Sequence, residues 1–536
     1  MTTVFQNAHV FDGHRHLGPP TTVVVEADRI VAVGEVDPPS GAHVVDVGLG
    51  LLLPGFVDGH VHVVQGGLER VRCDLSDLEN EHDYLARIGS YAAERPGEEW
   101  ILGGGWAMAA FPGGTPTAAA LDRVVPDRPV FLPNRDHHGA WVNTAAMRLA
   151  GIGPSTPDPS DGRLERDSTG APTGTLQEGA MRLVARHLPR TTRSELDAAL
   201  LDGQRYLHSL GVTAWQDAIV GAYTGMDDNG PTYAAVAREG LLTARVVGAL
   251  WWDRARGLEQ VDDLVRRRAE LSGGRFSATA VKVMQDGVVE NGTAALVDPY
   301  VDRSGDATTN SGMSFVEPAE LRSAIQALDS QGFQVHVHGL GDRGVREALD
   351  AFEGTDAAHR HHIAHLQLVH PDDVPRFGRL GVSANIQALW ACLEDQMVDL
   401  TIPFLGPDRA DRQYPFGDLH RAGARLVAGS DWPVSTPDPL AALHVAVHRT
   451  AYGAPGRAGS EPFLPAQALD IETAFAAYTS GSAWINHLDR AGRVAPGYDA
   501  DLVVLDGDPF QDPTTIGATR VVSTWVGGEQ VYSAVE

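Results

Sequence analysis

Cysteine is almost absent from this chain: 536 residues contain only Cys73 and Cys392. Two thiols cannot build a disulfide framework, so the sequence predicts a reducing compartment. Cationic residues are also scarce, 42 Lys and Arg against 70 Asp and Glu, for a formal charge of −28. That balance argues against nucleic acid and against anionic membrane as partners, since both need basic patches. No apolar run is long enough to span a bilayer. The start, MTTVFQNAHVFDG, has no basic stretch followed by an apolar one and so predicts no signal peptide, leaving the cytoplasm as the expected location. A dinucleotide fingerprint is missing too. Gly103-Gly104-Gly105 leads into Trp106 and a Pro-rich stretch, which predicts a loop rather than a phosphate cradle and argues against a redox enzyme.

What is present is a globular composition, 43% hydrophobic and 21% charged, on a chain too long for one ordinary core. Residues 2–50 read as short strands with turn signals at Asp12-Gly13 and Ala27-Asp28. The far end has the same character, with a strand at 501–505, a Gly507-Asp508-Pro509 turn and a hairpin at 521–532. The two ends are expected to pair into one small β-sandwich, giving a discontinuous domain of residues 1–50 plus 490–536. Between them, residues 51–489 alternate strand and helix. Strands are predicted before His60 and at 129–132, 212–216, 280–284, 334–337, 362–366, 381–386 and 425–427, with helices at 194–210, 318–331 and 343–352. Eight strands in that alternation predict an α/β fold, a (β/α)8 TIM-type barrel. Residues near 95–175, rich in Gly, Pro and polar side chains, are expected to be an inserted, lid-like excursion over the barrel mouth.

Working groups of such barrels sit at the C-terminal ends of the strands. The segment 51–63, LLLPGFVDGHVHV, ends in His60-Val61-His62. Residues i and i+2 of a strand point the same way, so these imidazoles face one side and are within reach of one metal ion. An HxH pair is more often a partly exposed polar pair than a metal site; here further ligand types follow at later strand ends. Lys282 lies inside an apolar strand, where it is costly to bury without a partner such as Asp286. His338 ends QVHVHG, although His336 shares its face and pattern alone cannot choose between the two. His365 ends HHIAH; His359, His361 and His362 cluster with it, and a solvated surface loop is the competing place for those three. Asp431 ends VAGSD, where a turn cap is the competing role. Trp106, Trp141, Trp390 and Trp432 fall near the expected mouth, to bind an apolar amine portion or simply to pack the lid. Arg135 could bind a substrate carboxylate or pair with Asp136.

This ordered set resembles the amidohydrolase superfamily, and more narrowly the family-3 amidohydrolases, the group containing the N-substituted formamide deformylases. The stretches that carry the likeness are PGFVDGHVH (54–62), RDHHGAWVN (135–143), GTLQEGA (174–180), GVTAWQD (211–217), KVMQDGVVENGTAAL (282–296), HGLGDRGV (338–345), GSDWP (429–433) and GRVAPGYDADLVVL (492–505). The resemblance implies that His60 and His62 hold a more buried metal and His338 and His365 a second one. It implies that Lys282 can be carbamylated and bridge the two, and that Asp431 is both a ligand and the proton shuttle. His138 corresponds to a histidine near the substrate. The group often has Arg-Ile-Glu-His where this chain has His362-Ile363-Ala364-His365, and Asp-Gly-His where it has Asp136-His137-His138. The implied activity is metal-dependent hydrolysis of a small-molecule, non-peptide amide, an N-formyl or N-acyl amine, by one or two divalent ions such as zinc. Cyclic amide hydrolysis is one alternative, and a non-catalytic, metal-stabilised barrel is another. Barrels of this kind often assemble as homodimers.

Overall fold

The computed structural model describes residues 2–223, 225–453 and 461–534. Its centre is an eight-stranded parallel sheet whose strands follow one another in chain order: Phe56–Val61, Val212–Val220, Arg245–Trp251, Phe276–Met284, Gln334–Gly339, His362–His365, Ser383–Ile386 and Leu426–Ala428. Sequences such as VTAWQDAIV and QVHVHG are buried at every position, as strands covered on both faces must be. The seam between the first and eighth strands is joined just past their ends, where Asp431 N donates to His60 O (2.8 Å) and His62 N to Trp432 O (2.8 Å). Asp58 staples the same seam, its carboxylate accepting from Ser430 N and Ser430 Oγ. The fold is a TIM-type barrel. Helix Arg193–Ser209 opens on a capping box between Thr192 and Glu195, which satisfies its free N-terminal amides, and Pro318–Ser330 starts on proline at the position that needs no N–H.

Two strand expectations are corrected. Residues 129–132 do not enter the barrel: Val130–Pro133 pairs with Ile101–Gly104 and Gly139–Val142 in a separate six-stranded sheet. The third barrel strand is instead Arg245–Trp251, which is absent from the strands the sequence predicts. Both are short apolar runs, and periodicity says nothing about which sheet such a run joins. The excursion is therefore not a loop. Its sheet runs from Cys73–Asp74 to Pro172–Glu178 and buries Tyr84, Ile88, Leu132 and Trp141 in a core of its own. Gly103 lies not in a loop but in the strand Ile101–Gly104, paired with Cys73 so closely that a Cβ would meet Cys73 O at 2.1 Å and only glycine fits.

The chain ends share a third sheet. Thr2–Val10 pairs with Thr21–Glu26, His43–Asp46 and Leu51–Pro54, and Leu51–Pro54 pairs with Leu502–Leu505. Phe5 and Trp525, one from each end, meet edge to face at 5.2 Å inside it. Among the described residues no helix is long and apolar enough to cross a membrane.

Candidate active site

At the C-terminal mouth of the barrel, His60, His62, Lys282, His338, His365 and Asp431 line one pocket. His60 is near the end of the first strand, and His62 immediately precedes helix Val63–Val71. Their Nε2 atoms approach Asp431 Oδ1 at 3.2 and 3.0 Å. Yet Asp431 Oδ1 and His365 Nδ1, the latter 3.8 Å from Asp431 Oδ2, are buried with no hydrogen-bond partner. Lone pairs that converge without bonding one another are the donor set a cation needs, so a divalent metal fits these residues. Burial alone would raise the Asp431 pKa, but His60, His62 and His365 hold it well below the usual carboxylate range, and the group is anionic.

The remaining members are set by their own neighbours. His338 Nδ1 donates to Asp286 Oδ1 (3.1 Å), and Asp286 also accepts the backbone N–H groups of Ala295, Leu340 and Gly341. That fixes the ring and leaves its other nitrogen for the pocket. Lys282 is buried, and burial lowers its pKa to about 7. The suggested Lys282–Asp286 ion pair does not form; the Nζ group lies 3.4 Å from His336 Nε2. The backbone of His365 (φ 81°), Asp431 (φ 57°), His137 (φ 62°) and Glu178 (φ 51°) is left-handed although none is glycine. Such conformations persist where the surrounding packing dictates them, and all four residues belong to this site or touch it.

His138 and His137 bring the insertion's sheet to the same pocket. His138 Nδ1 lies 3.0 Å from both oxygens of Glu178, and Thr293 Oγ1 donates to Glu178 Oε1 at 2.7 Å. Burial works against charging His138, but the Glu178 carboxylate outweighs it and raises the ring to about 9. His137 is turned toward Gln65 and Glu69 instead.

Several expectations move. Trp106 is no substrate contact: it is fully buried, donates to Leu132 O and packs against Phe111 and Trp141 in the insertion's core. Trp432 and Arg135 line a wider, solvent-open cleft outside the pocket, where Trp432 meets Tyr206 edge to face and Arg135 donates to Ser76 O. Trp390 borders both cavities and stacks on His365 at 5.4 Å. His361 and His362 are not on a solvated loop; both are buried, on Asp329 and Gln216 respectively. Glu178 and Gln216 are not singled out by the sequence, and Asp286 is marked there only as a partner for Lys282, not for His338. Glu178 and Asp286 stood inside the quoted stretches GTLQEGA and KVMQDGVVENGTAAL, and nothing local marks a buried carboxylate as an imidazole partner.

The amidohydrolase family profile matches residues 43–532. The chain belongs to the amidohydrolase family. YtcJ of Bacillus subtilis (strain 168) is 30% identical over 489 residues, covering 90% of this chain and 89% of that one. The N-substituted formamide deformylase of Arthrobacter pascens is 27% identical over 539 residues, covering 95% and 94%. Among solved structures, an uncharacterized metal-dependent hydrolase from Pyrococcus furiosus superposes with a TM-score of 0.70 at 25% identity, covering 95% of this chain and all of that one. This amidohydrolase is accordingly a hydrolytic enzyme acting on carbon–nitrogen bonds, and its family and fold neighbours are metal-dependent.

Proposed function

We propose that this amidohydrolase cleaves a non-peptide amide, an N-formyl or N-acyl amine. The observation that carries the proposal is the convergence of unpartnered His and Asp lone pairs on one buried point, beside a histidine held by a carboxylate. His60, His62 and Asp431 would hold one divalent ion, and His338 and His365 a second. Zinc suits so imidazole-rich a set. Carbamylation of Lys282 would supply an anionic ligand where the barrel otherwise offers a buried amine with no carboxylate bound to it. An ion bound there would supply hydroxide at neutral pH and polarise the carbonyl. Asp431, anionic and within the ligand cluster, accepts the proton of the attacking water and passes it to the leaving amine. His138, held by Glu178, donates to the developing oxyanion. The amide choice draws on the Arthrobacter pascens relative, whose name specifies a formamide. The same proposal treats residues 1–50 with 490–536 as one domain, and 51–489 as the barrel with its insertion near 95–175.

The test is amine release from a panel of N-formyl, N-acetyl and cyclic amides, with and without chelator. Chelator-sensitive release from an acyclic amide, restored by zinc or manganese, is expected. Ring opening alone would replace the substrate assignment with a cyclic amide, and turnover indifferent to chelator would overturn the metal site.

A further inference from the structure

His336 shares a strand face with His338 but does not line the pocket; it lies one step deeper, fully buried beneath His60. What it does there follows from which atoms can donate. The chain of hydrogen bonds starts at two backbone carbonyls, which can only accept. Gln334 Nε2 donates to Arg360 O (2.8 Å) and Ile485 O (2.5 Å), so Gln334 Oε1 must be an acceptor. Gln216 Nε2 donates to that oxygen (2.8 Å) and to Asn486 Oδ1 (2.9 Å), which turns Gln216 Oε1 toward the barrel centre. Two imidazoles meet it: His336 Nδ1 at 2.7 Å and His362 Nε2 at 3.1 Å. An amide oxygen cannot donate, so both nitrogens carry hydrogen. The His362 ring is closed on its other side by the Asn385 amide, at 3.1 Å from Nδ1.

His336 Nε2 has the hydrogen-bearing Lys282 Nζ 3.4 Å away, which makes that nitrogen the acceptor side of the ring. With hydrogen on Nδ1, its Nε2 is a lone pair, and the group 3.0 Å away is His60 Nδ1. His60 must therefore carry its hydrogen on Nδ1 and present a bare Nε2. That Nε2 faces Asp431 Oδ1 at 3.2 Å, an acceptor opposite an anionic acceptor, which is stable only around a cation.

We infer that His336, anchored by Gln216 and Gln334, is the positioning residue that fixes the tautomer of His60 and so obliges it to act as a metal ligand. The inference rests on the metal-site reading above, but its first test does not. In metal-free protein with 15N-labelled histidine, long-range 1H–15N correlation, assigned by single substitutions of His60 and His336, is expected to show both rings protonated on Nδ1. His60 protonated on Nε2 would overturn the relay. The second test compares zinc affinity, by competition with a chromophoric chelator, in two variants. His336→Gln keeps one donor and one acceptor at that spacing and is expected within about threefold of wild type; His336→Leu removes both and is expected to bind roughly 10–100-fold more weakly. Equal affinity in the two variants, whether reduced or not, would assign His336 to packing alone. Wild-type protein that binds no zinc would remove the metal site while the tautomer still decides the relay.

Discussion

Asp431 combines three properties that are hard to hold together: it is buried, anionic and without a hydrogen-bond partner on Oδ1. Asp431→Asn keeps the shape and removes the proton acceptor, so turnover at saturating zinc should fall by about 10²–10⁴-fold. Near wild-type amine release from that variant would remove the shuttle role. The His138–Glu178 pair makes a separate claim on stability. Removing one partner of a buried ion pair leaves the other uncompensated, so Glu178→Ala should cost roughly 3–5 kcal/mol in urea unfolding. A loss under 1 kcal/mol would mean that His138 is neutral in the folded protein. The choice between His336 and His338 is also made at the residue scale. Both point inward with period two, and only depth along the barrel axis sends one to the pocket and the other beneath it.

Elements place these residues through close approaches that glycine permits. Helix Val63–Val71, which follows His62 directly, lies against Arg193–Ser209 so tightly that a Cβ on Gly67 would sit 2.0 Å from Ala199 O. Gly67→Ala should force the helices apart and cost about 1–3 kcal/mol, read as a lowered melting temperature. Gly97→Ala, where nothing lies within 4 Å, should change stability by no more than about 0.5 kcal/mol and serves as the control. Element identity was unevenly legible. The strands leading to His338, His365 and Asp431 are legible because each apolar run gives way to a loop beside its chemical residue. Arg245–Trp251 carries no chemical residue at its end and passed unnoticed, while Val130–Pro133 looked equally barrel-like and belongs to the insertion.

Across the whole molecule, acid stability should carry the mark of histidines buried far from the active site. His208 bridges Val212 O (2.9 Å) and Thr243 Oγ1 (2.8 Å), and burial lowers its pKa to about 4. In the unfolded chain the same ring titrates near 6.5. Between those values the unfolded state binds a proton that the native state refuses, so stability falls as pH drops through the window and the loss is complete below about pH 4. The size is about 3 kcal/mol for this one residue. His208→Gln keeps an amide in place of the ring and should flatten that limb. Unfolding free energies at pH 7 and 4.5 measure it, and equal slopes in the two proteins would show that His208 is not held neutral.

The sequence by itself determined the alternation of strand and helix, the order of His60, His62, Lys282, His338, His365 and Asp431 along it, and the family resemblance those residues carry. These are local properties: periodicity, turn chemistry and motif spacing are written within a few residues of each other. The tertiary structure alone decided that Trp106 is core, that Glu178 holds His138, that the excursion is a sheet, and that Gln334, Gln216 and His336 set the face His60 shows. Each of those depends on donors and acceptors tens to hundreds of residues apart. Closing the barrel brings them within 3 Å, and no local pattern encodes that distance.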